Sequence, residues 1–396
     1  MLRRLLAIAG FACLLLLSVT GVRASQPLVE LETREGKFEG RVVDKGRGWC
    51  VLFDRYGHMH TVETTNVRKF RKLSSNFAPF SFSQVRTKLL LDFGKGYEVG
   101  TSRHYVVCAP NGRAKAYADI FESTWRRLHM YFSIRGFDIP KPEFPLVAVV
   151  FRDYQSFAEH ARREKASVSP GILGYYWSTH NQVLMYEDSR RTAAASSHDG
   201  SSFVSYFEQT ANPWGFAFDD PASFDQLAAS AGVNGDLKET MIHEATHQLG
   251  YNLGLHNRVG RNPRWMVEGL ATVFEAPGMD SQRGGQAIKR ANAGWLYGFR
   301  KFASTSRPKY YLEEFIRSDR PFQTNMSNAY AQAWALSFWL IETRPREYGQ
   351  FLRCMADDNV AKTLNPDRRV EIFKESFGRE LHMLDLEMLR YFDGLK

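Results

Sequence analysis

Cysteine is scarce in this sequence, with four residues in 396. Cys13 falls in the N-terminal stretch. Cys50, Cys108 and Cys354 remain, an odd number with no C-x-x-C pair. A disulfide scaffold is excluded; one disulfide stays open, and at least one thiol is free. Thiols packed in an apolar core are the ordinary role for such residues. Long apolar runs are missing after the first 24 residues, so no transmembrane segment is expected in the rest of the chain. No internal repeat and no nucleic-acid-binding motif occurs, and no nucleic-acid partner is expected. Charge of either sign is not in large excess: 52 Lys and Arg stand against 43 Asp and Glu. Without residues 1–24, which hold three arginines and no acid, the balance is 49 to 43. That mild basicity reads as a solvated surface.

What is present describes a packed globular protein, with 44% hydrophobic and 14% aromatic residues. The length suffices for two or three domains and a substantial core. Arg3 and Arg4, an apolar run over 5–17 and Val22-Arg23-Ala24 have the form of a signal peptide over residues 1–24. Export to a periplasmic, cell-envelope or extracellular location is the expectation. Cys13 lacks the Leu-x-Gly/Ala-Cys context of a lipid anchor.

Five short alternating stretches follow, at 28–33, 37–43, 49–54, 58–62 and 67–73, separated by Gly-containing turns. They predict a small all-β module over 25–75, resembling an SH3-like barrel. It is either a binding module for a cell-envelope partner or a structural cap. Residues 76–100 read as a connector with a helix over 84–93, capped by Ser83. A second domain over 101–396 opens with strands and helices: a strand at 104–108, a helix at 113–133, a buried strand at 145–151, a helix at 154–163 and a hairpin over 171–186. The stretch 190–202, RRTAAASSHDGSS, reads as a polar loop in which His198 and Asp199 are solvated. Residues 203–235 show no clear period. After residue 275 helices are expected at 284–303, 310–318, 327–343, 346–357, 366–377 and 379–392.

The chemistry concentrates in MIHEATHQLG, residues 241–250. His243, Glu244 and His247 form H-E-x-x-H. On a helix, side chains four apart share a face one turn apart, so both imidazoles reach one cation. Glu244 lies one step round, placed to polarise water without occupying a ligand position. Asp236 and Glu239 predict the start of that helix, Gly250 or Gly254 its end. A second run, PRWMVEGLATVFE over 263–275, predicts a largely buried helix with Pro263 in its first turn. Glu268 sits in it, and a buried carboxylate is costly unless paired or metal-bound.

H-E-x-x-H followed by W-x-x-E-G-x-A (Trp265, Glu268, Gly269, Ala271) resembles the gluzincin zinc peptidases. The match is close over 241–275 and looser over about 100–395, nearest to a poorly characterised bacterial gluzincin-like group. It implies an α+β domain with a mixed-sheet lobe and a mostly helical C-terminal lobe. It also implies Zn²⁺ held by His243, His247 and Glu268, with Glu244 as general base. Gluzincin upper lobes hold an extended peptide against an edge strand, and the 171–186 hairpin is either that edge or an ordinary core hairpin. Tyr330 matches the tyrosine that several gluzincins direct at the oxyanion; packing at a helix interface is its other reading.

Two departures from related patterns matter. The metzincin pattern fails because Leu253 stands where a third histidine belongs; His256, three residues on, is expected as a loop or surface histidine. Thr272 replaces an acid that some gluzincins use to orient a zinc-bound histidine. The function implied is a secreted zinc-dependent peptidase acting on peptide or protein substrates. The missing G-x-M-E-N signature favours an endopeptidase over an aminopeptidase. The alternative is a non-catalytic cell-envelope binding protein on a degenerate peptidase scaffold.

Overall fold

The computed structural model describes residues 26–166, 168, 172–187, 235–276, 287–378 and 380–395. The expected signal peptide over 1–24, the loop 190–202 and residues 203–234 lie outside the described residues. Contacts divide the chain into two units, Met1–Pro79 and Phe80–Lys396.

The first unit is all β. Strands β1 (Leu28–Thr33), β2 (Lys37–Gly46), β3 (Trp49–Phe53), β4 (Met59–Glu63) and β5 (Val67–Ser74) make one antiparallel sheet in the order β4-β3-β2-β1-β5. In β1 every second residue is buried, as a strand with one face on a core requires. Val29, Leu31, Cys50, Leu52 and Val62 form that core. Gly36, Gly48 and Gly57 have positive φ at the hairpin turns.

The second unit begins earlier than the connector reading places it. Helix α1 (Phe82–Phe93) is capped by Ser81, not Ser83: Ser81 and Gln84 form a reciprocal capping box. Strand β6 (Tyr97–Thr101) pairs with β7 (Tyr105–Pro110). Helix α2 (Ala114–Ser133), β8 (Leu146–Phe151), α3 (Tyr154–Arg163), β9 (Gly174–Trp177) and β10 (Gln182–Tyr186) follow. The sheet order is β6-β7-β8-β10-β9. β7, β8 and β10 run parallel, and β6 and β9 are antiparallel strands on the two edges. Every residue of β8 is buried, as expected for a central parallel strand covered on both faces.

The rest is helical: α4 (Gly235–Asn252), α5 (Arg264–Phe274), α6 (Ala293–Thr305), α7 (Tyr311–Arg317), α8 (Pro321–Thr324), α9 (Met326–Thr343), α10 (Pro345–Ala356), α11 (Asp358–Thr363), α12 (Pro366–Phe377) and α13 (Leu381–Gly394). The helix expected from 284 starts instead at Ala293. Asn292 accepts hydrogen bonds from the amides of Gly294 and Trp295, which fixes a new N-terminus there. One continuous core joins the sheet, α2, α4, α5 and the C-terminal helices. The protein is thus mixed α+β, an all-β unit followed by a unit with a mixed sheet and a helical C-terminal part. No helix among the described residues is long and apolar enough to cross a membrane. Cys50, Cys108 and Cys354 are all free thiols, the first two buried.

Candidate metal centre

Helix α4 is pinned at its buried face and its far end. Leu237, Met241, Ile242, Ala245 and Leu249 enter the core. The buried Gln248 amide donates to Val147 O in β8 at 3.0 Å and to Asn181 O at 2.8 Å. Asn252 donates to Asn181 Oδ1 at 2.7 Å, where Asn181 turns the β9–β10 hairpin with φ 54°. Gly254 at φ +72° turns the chain out of the helix. The side chain of Asp236, expected as a cap, is outside the described residues; its backbone already lies within α4.

Helix α5 starts at Arg264, with Pro263 as the preceding cap residue. The Arg264 amide, a helix-start donor with no partner inside its own helix, donates a hydrogen bond to Asp319 Oδ1 at 2.9 Å. Arg369 holds the same carboxylate through both oxygens, at 2.8 and 3.0 Å. Gly269 is required by packing. A Cβ there would lie 2.3 Å from Ser337 Oγ and 2.5 Å from Ala333 O, both in α9. The glycine next to Glu268 therefore lets α9 close on α5 and carries Tyr330 with it.

These constraints bring three donor atoms together. His243 Nε2 and His247 Nε2 face each other at 3.0 Å, and Glu268 Oε2 is 3.4 Å from each. With ligand bonds of about 2.0–2.1 Å, the edge of a zinc tetrahedron is about 3.3 Å. The observed triangle has that size. Glu268 Oε2 is buried and has no hydrogen-bond partner in the protein, the condition a cation would relieve. The donor set, two imidazoles and a carboxylate, suits Zn²⁺.

The surroundings follow the logic of a metal site. Glu275 Oε1 is 2.7 Å from His243 Nδ1, leaving Nε2 of that ring for a cation. Glu275 Oε2 accepts from Trp295 Nε1 at 2.7 Å and from Asn292 at 3.4 Å. Thr272, the position where some gluzincins carry an acid, instead donates to Glu268 O and Gly269 O of its own helix. The sequence reading missed Glu275, Trp295, Asn292 and Arg264. Glu275 had a legible signal: seven residues past Glu268 is two helical turns on the same face.

Glu244 is half-buried beside the triangle, and its Oε2 accepts the Tyr176 amide of β9 at 2.6 Å. Burial raises its pKa above the usual glutamate value, and the charges of His243 and His247 partly oppose the rise. Burial likewise pushes Glu268 up, but the two imidazoles outweigh it and hold that carboxyl well below its usual value. Tyr330 OH lies 3.4 Å from the Arg264 guanidinium and interacts with Glu268. Its ring stacks on Trp295 at 6.0 Å, and Phe322 meets it edge-on at 5.5 Å. Burial, then the Glu268 charge, raises its pKa far enough to keep the phenol protonated.

His256 is not the surface histidine its loop position suggests. It is buried against Tyr251, and a Cβ on Gly250 would lie 2.5 Å from its ring. The turn at Gly254 folds it back over α4. Burial, with the nearby His247, pushes its pKa down to about 3. It is not among the converging ligand atoms, which are those of His243, His247 and Glu268.

Residues 238–360 match the family described as "Protein of unknown function (DUF1570)". The match covers less than half of the chain. It contains His243, Glu244, His247, Glu268, Glu275 and Tyr330. No curated protein matches the sequence.

Proposed function

We propose that the chain is a zinc-dependent peptidase of gluzincin type. The observation that carries this reading is the convergence of His243 Nε2, His247 Nε2 and Glu268 Oε2, from two helices, with Glu244 at their side. Zn²⁺ held there would lower the pKa of a water toward neutrality and polarise a scissile carbonyl. Glu244 takes the proton from water and hands it to the leaving nitrogen. Tyr330, kept protonated, donates a hydrogen bond toward the developing oxyanion. Arg264 holds both Tyr330 and Glu268 and thereby fixes their separation.

The substrate follows from the sheet edge. Among the described residues β9 pairs only with β10, and one of its amides reaches the general base. An extended peptide laid along β9 would be held by backbone pairing, with its carbonyl carried to Glu244. That arrangement suits an endopeptidase. The non-catalytic alternative rests on the small β unit and on the missing acid at Thr272; on the second point, Glu275 supplies a carboxylate to His243. We further propose that residues 1–24 direct export and that the β unit, read as SH3-like, serves the enzyme in the cell envelope.

Two measurements test the enzyme. Glu268→Ala should lower zinc content by one ion per chain, whereas Glu244→Gln keeps it. Cleavage-site profiling on a mixed peptide library should then give products with the wild type and almost none with Glu244→Gln. Equal cleavage by both proteins would remove Glu244 from the mechanism, and no change in zinc with Glu268→Ala would remove the metal centre.

A further inference from the structure

The first unit carries a second convergence of donor atoms, made of residues the peptidase reading does not use. Asp54 follows the end of β3, and His58 and His60 flank the start of β4, in the run DRYGHMH over 54–60. Gly57, at φ +86°, closes the turn between them. Asp54 Oδ1 is taken by the backbone amides of Tyr56 and His58, each at 2.8 Å. The other oxygen is thereby aimed at two imidazoles. Oδ2 lies 3.1 Å from His60 Nε2 and 3.5 Å from His58 Nδ1, and all three donor atoms fall within 4.8 Å of one another. Tyr56 stacks on the His58 ring at 5.7 Å, and Phe38 lies against His60 at 5.5 Å.

We propose that Asp54, His58 and His60 form a second metal site, for a divalent cation of the Zn²⁺ or Cu²⁺ class. The two Asp54 edges, 3.1 and 3.5 Å, bracket the roughly 3.3 Å edge expected for such ions. Two imidazoles with one carboxylate are borderline donors, which disfavour Ca²⁺ and Mg²⁺. The three side chains keep 19% to 32% of their surface exposed, so water has room to complete the coordination. An ion there ties the end of β3 to the start of β4. The cluster of buried side chains in this unit is small, and metal staples commonly stabilise units of that size.

The test uses tag-free full-length chain, stripped with chelator and titrated separately with Zn²⁺ and Cu²⁺. The peptidase centre is disabled by His243→Ala with Glu268→Ala, so that failure of that centre and of this one are read apart. This background should still bind one ion per chain. Adding His58→Ala and His60→Ala should abolish uptake, and adding Asp54→Asn, whose amide oxygen can still cap the turn, should weaken it at least about tenfold. Cu²⁺ bound to the background protein should show coupling to two nitrogens in its electron paramagnetic resonance spectrum. No ion in the background protein, or uptake and spectrum unchanged by the three substitutions, overturns the site. Circular dichroism of the metal-free variants separates loss of a ligand from loss of fold: a weakened site counts for the proposal only where the metal-free spectrum is unchanged. The Asp54→Asn variant decides the matter if the histidine variant unfolds.

Discussion

At the residue scale the proposed metal centre joins groups whose pKa values move in opposite directions, His243 up and Glu268 down. In the metal-free protein burial lowers the pKa of His243, yet Glu268 and Glu275 outweigh it and raise the value well above normal. At neutral pH that ring therefore holds a proton on each nitrogen, and zinc must displace the one on Nε2. Zinc binding should release about one proton per ion near pH 7. Its apparent affinity should rise with pH and level off above the His243 pKa. Calorimetry in two buffers of different ionisation heat measures the count; zero protons would show that His243 is already neutral in the metal-free protein. Glu275→Ala should weaken zinc by about 10- to 100-fold, because it frees the Nδ1 side of His243. Competition with a chelator reads that change, and an unaltered affinity would leave Glu275 without its orienting role.

At the scale of elements the decisive contact is between α5 and α9. Gly269 allows the two backbones to meet, and the pair positions both Glu268 and Tyr330. Gly269→Ala should force the helices apart and cost about 1–3 kcal/mol, the usual range for overpacking. The melting temperature should fall, and turnover should fall further than zinc content, because Tyr330 moves with α9. A variant as stable and as active as the wild type would show that the helices accommodate the methyl group. The helices were largely legible from periodicity, and β9 and β10 form the hairpin expected over 171–186. The errors came where a side chain sets a boundary. Asn292 resets one helix, and Ser81 captures a start that Ser83 also offered.

At the scale of the whole molecule the chain is two units, and each candidate centre lies inside one of them. All residues assigned to the peptidase centre belong to the second unit, which has its own continuous core. A fragment of residues 80–396 should therefore fold, bind zinc at His243, His247 and Glu268, and cut the same bonds as the longer chain. Circular dichroism and cleavage-site profiling check this. A fragment that folds but cleaves elsewhere would assign substrate selection to the β unit.

The sequence by itself determined the periodicity of the helices and strands, and the three positions of H-E-x-x-H. Those are consequences of local geometry: a helix brings residues four apart onto one face whatever surrounds it. The W-x-x-E-G-x-A run already pointed to Glu268; tertiary structure alone decided which carboxylate orients His243 and that His256 turns inward. It also decided that Tyr330 reaches Glu268. Each of these depends on the approach of separate segments, fixed by small residues such as Gly269 and by buried amides such as Gln248. Such approaches have no period along the chain.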